Sequence, residues 1–340
     1  MRKIKLGTTD VSSSIMGFGC MGMSEFYGSH DEESSFATLE RAFDLGITHY
    51  DTSNVYGRGD NERLVGQFAK DKRDRITIAT KFGVVRDPDG PEGSTYDRGI
   101  DNSPDYVRQC CEESLQRLGV DVIDLYYVHR LDPNAVLEDT MGALSRLVEE
   151  GKVRAVGLSE VTADQLRRAN AVHPVAALQS EYSLWSRDVE HEILPLCKEI
   201  GTTFVAYSPL GRGFLTGKIQ SASDLEEGDI RHTSPRFKAE NIERNKRLLA
   251  RLEAFCKDRN ISLTQMALAF VMNQSQDIVP IPGTKRIKYL EENASAVDVR
   301  LSAEDLAALD EIMPIGAAAG EAYDPKYGGA PKMTGGGAKE

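Results

Sequence analysis

Four residues within the first 130 have the types needed to put a proton on a carbonyl oxygen. The stretch HYDTSNVYG carries Asp51 and Tyr56, ATKFG carries Lys81, and YYVHR carries His129, followed at once by Arg130. A phenol titrates near pH 10 and is a poor acid at neutrality. A cation beside it stabilises the phenolate and lowers that value, so Lys81 would tune Tyr56 while Asp51 keeps the ammonium charged and in place. His129 would hydrogen-bond a substrate oxygen or share the proton. Such a set suits protonation of an oxyanion as hydride reaches the carbonyl carbon, or the reverse step in alcohol oxidation. No side chain donates hydride, so the chemistry calls for an organic cofactor. Singly, each residue has a plainer reading: a solvated rim lysine, a structural histidine, an aspartate that caps a turn. Those readings weaken jointly, because three neighbouring apolar runs each end in an ionisable group.

The elements that must hold these groups are legible as an alternation. After a β-hairpin at residues 3 to 14, strand-like runs appear at IMGFGC, THYDTS, ITIATKFG, IDLYYVHR, VRAVGLSE, VAALQSEY, TTFVAYSPLG and IVPIPGT. Amphipathic stretches separate them. One starts near Asp31, with Phe36, Leu39, Ala42 and Phe43 on one face; another follows NSPDY, using Val107, Cys111, Leu115 and Leu118 and ending at Gly119. A third uses Met141, Leu144, Leu147 and Val148, and further helices read from Thr162, Val189, Asn241 and Arg286. Eight strand–helix units predict an α/β fold, a (β/α)₈ TIM barrel with the hairpin in front. A doubly wound open sheet is the alternative. Residues 1–315 read as a single domain, and 316–340 as a flexible or loosely docked glycine-rich tail. The longest connection, residues 211 to 240 after strand seven, has the length of a lid or binding loop. In such a barrel the chemistry sits at the C-terminal strand ends. That places Ser159 and Glu160 after strand five, Gln179 on strand six, and Tyr207 and Ser208 after strand seven beside the first four residues.

Composition narrows the partners. The 340 residues carry a formal charge of −12 with scattered basic residues, which argues against nucleic acid or an anionic membrane surface. No stretch approaches 18 apolar residues, and MRKIKLGTTDV has no signal-peptide run, so a cytoplasmic protein is expected. Five cysteines without a CxxC spacing fit reduced thiols, and no metal site is expected. The segment GFGCMG has glycines where a dinucleotide fingerprint has them. No helix follows directly, however, and Glu40 lies inside the next helix rather than at a strand end. Its glycines read instead as a strand and loop passing close to something.

Together these residues resemble the aldo-keto reductase superfamily, from LGTTDVSSSIMGFGCMGM to IPGTKRIKYLEENASAVDVRLSAED, most tellingly in GITHYDTSNVYGRGDNERLVG, ITIATKFG and LQRLGVDVIDLYYVHRLDP. GKVRAVGLSEV and FVAYSPLGRGFLTGK follow in order. The resemblance is to the microbial, fungal and plant branch with HRxDP after strand four. It implies an NADP-dependent reductase of aldehydes or ketones, of the alcohol dehydrogenase or carbonyl reductase type. Tyr56 would be the general acid, Asp51 and Lys81 would tune it, and His129 would orient the carbonyl. The resemblance puts Gly19, Cys20 and Met21 at the nicotinamide end, Ser159 and Gln179 on the carboxamide, and Tyr207 on the ring. Ser208, Pro209, Leu210, Gly211, Arg212 and Gly213 would lie over the pyrophosphate, with Lys218 nearby. Gly283, Thr284, Lys285 and Arg286 align with the site for the 2′-phosphate, and Glu292 and Asn293 with adenine contacts. Many members have asparagine where this chain has Glu160, which cannot donate to a carboxamide oxygen. The adjacent cations of PGTKR before a helix favour NADPH over NADH. Met23, Phe26, Tyr27, Phe82, Arg130 and Trp185 are expected to line the substrate pocket, with Glu25 and Arg130 on polar substituents or the rim. A channel-associated regulatory subunit would keep the same four residues; a phosphosugar isomerase would need neither the nicotinamide nor the Tyr–Lys pair. A monomer is the family default, with an oligomer left open.

Overall fold

The computed structural model describes residues 1–86 and 98–323. The chain opens with an antiparallel hairpin, β1 (Lys3–Lys5) and β2 (Ser12–Ser14). Then come β3 (Phe18–Gly19), β4 (His49–Asp51) and β5 (Thr77–Phe82), and a second hairpin, β6 (Val84–Arg86) with β7 (Arg98–Ile100). The remaining strands are β8 (Leu125–Val128), β9 (Val156–Ser159), β10 (Val175–Glu181), β11 (Thr203–Tyr207) and β12 (Ile278–Pro280). Strands β3, β4, β5 and β8 to β12 form one parallel sheet in sequence order. Its two edges meet: the Gly17 N–H donates to the Pro280 carbonyl at 2.9 Å and the Gly19 N–H to Pro282 at 3.4 Å. Closure makes this the expected (β/α)₈ barrel and removes the open-sheet alternative.

That seam explains two glycines. A Cβ on Gly19 would stand 2.8 Å from the Ile281 carbonyl oxygen, and one on Gly283 would stand 2.5 Å from the Gly19 oxygen. The something that GFGCMG passes close to is therefore, first, the last strand of its own barrel.

The helices are α1 (Glu32–Asp44), α2 (Asp60–Ala69), α3 (Pro104–Leu118), α4 (Leu137–Glu149), α5 (Ala163–Val172), α6 (Ile193–Ile200), α7 (Ala239–Asp258), α8 (Leu263–Gln274), α9 (Ile287–Ser295) and α10 (Ala303–Ile312). Local chemistry sets their ends. Asp31 accepts from the Ser34 N–H ahead of α1, and capping boxes at Thr162, Ser262 and Ser302 open α5, α8 and α10. Gly119 ends α3 in the left-handed region. Helix α6 begins at Ile193 rather than near Val189, where only a single 3₁₀ turn forms. Helix α8 is not amphipathic: Met266 to Val271 are all buried, so no polar face marks it in the sequence.

Inside the barrel, Leu6 and Val11 of the first hairpin join Ala79, Leu125, Tyr127, Ala177, Val205 and Val279. The hairpin thus plugs one end with apolar side chains, and the polar residues are left to the other. The segment 211–240 is a chain of short 3₁₀ turns, not open coil. Residues 316–323 are tied down: Asn245 exchanges two hydrogen bonds with Ala319 (2.8 and 3.1 Å), and Ser234 donates to Ala322 at 3.2 Å. The expected boundary at 315 therefore precedes eight docked residues, and 324–340 lie outside the described residues. All five cysteines are buried free thiols. No helix among the described residues is long and apolar enough to cross a membrane.

Candidate active site

Alternation along a strand decides which side chains enter the barrel. Asp51 ends β4, and β5 pairs Asp51 with Ala79, two residues before Lys81. The Lys81 ammonium donates to Asp51 Oδ1 and to the Thr52 carbonyl (2.8 Å), and lies 3.5 Å from the Tyr56 hydroxyl. Gln179 Nε2 donates to Asp51 Oδ2 at 2.7 Å, so both carboxylate oxygens are engaged. Lys81 has no exposed surface. Burial pulls its pKa down, but Asp51 and Tyr56 outweigh that and hold it above the ordinary value, so the ammonium stays charged.

Tyr56 is presented by a turn. Gly57, Arg58 and Gly59 follow it with φ of 55°, 54° and 95°, and the chain then enters α2. Its ring meets His129 edge-on at 5.8 Å between centroids, and His129 Nδ1 shares a 3.2 Å hydrogen bond with Ser53. Phenol, ammonium, carboxylate and imidazole thus meet at one end of the barrel. One expectation is modified. Burial raises the Tyr56 pKa, and although Lys81 opposes it, the net shift is upward. The phenol is held protonated.

Beyond these four, Arg130 Nη1 donates to Ser159 Oγ (3.1 Å) and to the His129 carbonyl (2.7 Å). Glu160 has φ of 55°, and its Oε1 accepts from the Glu181 N–H at 2.9 Å. Burial raises its pKa. This carboxylate ties the end of β9 to the end of β10, which gives it a structural use in place of the asparagine's. In the turn from Ser208 to Gly213, the Arg212 side chain folds back to Glu181 at 3.3 Å, and Arg236 meets the same carboxylate at 3.1 Å. Tyr207 shares a 2.7 Å hydrogen bond with the hydroxyl of Tyr323, whose ring lies 4.5 Å from the Arg212 guanidinium. Tyr323 comes from the segment read as tail, and no motif pointed to it.

At the far end Lys218 lies 3.7 Å from Glu292 and 3.5 Å over the ring of Tyr289, a residue the sequence reading missed. Asn293 is buried. Thr284 Oγ1 accepts from the Arg286 N–H at 3.1 Å. Lys285 is already engaged: its ammonium donates to the carbonyls of Tyr27 (2.6 Å) and Ser29 (2.5 Å). Ser29 in turn donates its N–H to Glu226 at 2.8 Å, and the Ile230 N–H donates to Phe26 at 3.0 Å. A strap at 26–29 is therefore fastened to the loop after β11 and to the turn after β12.

Three expected pocket residues are buried in packed surroundings. Phe82 follows inward-facing Lys81, so it points outward, is fully buried, and packs on Tyr126 at 4.9 Å between barrel and helices. Trp185 is 6% exposed and stacks on Phe214 at 4.7 Å, beneath Gly211 of the loop after β11. Met23 and the Cys20 side chain are core residues, though the Cys20 N–H donates to the Asp51 carbonyl at 2.9 Å. Met21 and Phe26 instead pack against the small cluster that contains Tyr56.

Comparison with known proteins gives the family. The family model described as "Aldo/keto reductase family" matches residues 15–314. A probable aldo-keto reductase of Glycine max is 46% identical, over 95% of this chain and 92% of its own. An aldo-keto reductase of Schizosaccharomyces pombe, whose name specifies NADP(+), is 43% identical over 95% of each. Among solved structures, the glycerol dehydrogenase of Gluconobacter oxydans superposes with a TM-score of 0.84 at 27% identity, covering 95% of this chain and 98% of that one. The holo form of an aldo-keto reductase from Bacillus halodurans gives 0.75 at 27%, covering 92% and 96%. The chain belongs to the aldo/keto reductase family.

Proposed function

We propose that this protein reduces aldehydes and ketones to alcohols with NADPH, with Tyr56 as the proton donor. The observation that carries the reading is the contact set around Lys81, which joins Asp51 and Tyr56 beside His129. The donor set suits a dinucleotide phosphate. Ser159, Gln179 and Tyr207 stand near the four, suited to an amide and an aromatic ring. The cations Lys218 and Arg286, on the loop after β11 and the turn after β12, are suited to phosphates, whereas Arg212 is held on Glu181. When bound, NADPH supplies the hydride.

The chain's own residues supply the rest. His129, anchored through Ser53, orients the carbonyl oxygen toward the phenol. Tyr56 gives that oxygen a proton as negative charge develops on it. Lys81 stabilises the phenolate left behind, and Asp51, itself held by Gln179, keeps Lys81 aimed. Aldehydes, ketones and quinones assayed by NADPH oxidation would identify the substrate class. Tyr56→Phe should lower kcat by about 10²–10⁴ with the Kd for NADPH unchanged. Wild-type kcat in that variant would defeat the assignment.

A further inference from the structure

Glu25 reads in the sequence as a candidate for the pocket or its rim, and no motif singles out Arg86. The structure pairs them. Arg86 Nη2 donates to Glu25 Oε1 at 2.5 Å and Nη1 to Glu25 Oε2 at 2.8 Å, a two-pronged ion pair with side chains only 8% and 19% exposed. Both partners also grip backbone. Arg86 Nη1 donates to the Val55 carbonyl at 2.9 Å, and Glu25 Oε2 accepts the Gly57 N–H at 3.1 Å. Val55 and Gly57 are the two neighbours of Tyr56. The ring of Phe26, next to Glu25, meets Tyr56 edge-on at 6.4 Å, and the Arg86 guanidinium lies 5.9 Å from that ring.

We propose that Glu25 and Arg86 are positioning residues that clamp the peptide groups on either side of Tyr56 and so hold its hydroxyl against Lys81. This rests on the reading of Tyr56 as proton donor. The turn needs an outside restraint. Arg58 has a side chain in the left-handed region, which is unfavourable without support. The Lys81–Tyr56 approach of 3.5 Å is at the limit of a hydrogen bond, so a few tenths of an ångström decide whether it exists. A two-pronged guanidinium–carboxylate pair with little exposed surface fixes geometry better than an exposed one. It reaches the turn from two directions: Glu25 from the loop after β3, Arg86 from the hairpin that continues the strand of Lys81. The ammonium on β5 and the brace on β6 thus lie only a few residues apart along the chain.

Arg86→Gln, Glu25→Ala and the double variant test this, with Tyr56→Phe alongside. Each single variant should lower kcat about 10- to 100-fold, with KM and the Kd for NADPH, read from Trp185 fluorescence, close to wild type. The double should be no worse than the worse single, because the two act as one unit. Arg86→Lys, which keeps a charge and a donor, should recover part of the loss. Wild-type kcat in both singles, or losses that multiply in the double, would overturn the clamp. So would a fall in NADPH affinity matching the fall in kcat, the sign of a merely structural pair. Retained kcat in Tyr56→Phe would instead sink the proton-donor reading.

Discussion

At Tyr56 two effects oppose each other: burial favours the neutral phenol, and the Lys81 ammonium favours the phenolate. Burial wins, so the pKa lies above its ordinary value near 10. With Tyr56 as the proposed donor, reduction would use the protonated form, present below that pKa, so its kcat should stay flat through neutral pH and fall only in strong alkali. Alcohol oxidation needs the phenolate and should rise with pH over the same range. Lys81→Met removes the opposing charge and lifts the pKa further. Its oxidation rate at pH 9 should fall at least about tenfold more than its reduction rate at pH 7, one pKa unit being a factor of ten. Equal losses in both directions would show that Lys81 acts through structure alone. Asp51, Lys81 and His129 were readable because each stands at or beside the end of an apolar strand, and Tyr56 because it lies in the loop just past Asp51. The balance between burial and charge was not readable, since it depends on what covers the phenol.

The elements decide which side chains reach the site. Phe82 shows what single-residue reading overlooks: its neighbour Lys81 faces the axis, so period-two alternation already sends Phe82 outward. Trp185 lies past the end of β10 in a loop, where no period applies, and only packing shows it under Phe214. Lys285 gives a prediction at this scale. Because it fastens the strap at Tyr27 and Ser29, Lys285→Ala should weaken NADPH and NADH to a similar degree. Arg286→Ala, with an exposed head beside the turn of Thr284, should weaken NADPH about tenfold more than NADH, a charge-assisted contact being worth about 1.5–3 kcal/mol. Titration of each variant with both dinucleotides separates the roles, and selective loss of NADPH in Lys285→Ala would return the phosphate to Lys285. The barrel seam gives another. Gly283→Ala forces a methyl against the Gly19 oxygen and should cost about 1–3 kcal/mol, visible as a lower Tm with the chemistry of a closed barrel retained.

For the whole molecule, His49 is the telling group. It faces the interior two residues before Asp51, has no exposed surface, and neither ring nitrogen has a hydrogen-bond partner among the described residues. Burial, partly opposed by Asp51, lowers its pKa to about 4. A histidine depressed on folding takes up its proton in the unfolded chain first, near pH 6.5. Stability is therefore lost as the pH falls from about 6.5 to 4 and unaffected above it, by about 3 kcal/mol at most. In His49→Phe the urea midpoint should vary less across that window than in wild type. An identical slope in the two proteins would show that His49 carries none of the acid sensitivity.

The alternation of eight strands with helices, the barrel they close, and the placing of Asp51, Tyr56, Lys81 and His129 at or just past strand ends were legible in the sequence, whereas helix α8 and the β6–β7 hairpin were not. Periodicity, caps and the position of a residue at a strand end are local properties that survive without any fold. Tertiary structure alone decided the rest. It brought Glu25 to Arg86 and Tyr323 to Tyr207, engaged Lys285 with the strap, and turned Glu160 into a tie between strands. These partners are tens to hundreds of residues apart in the chain, and no short-range pattern constrains them. What selects them is the closure of the barrel, which brings the ends of its strands and their loops together over one small mouth.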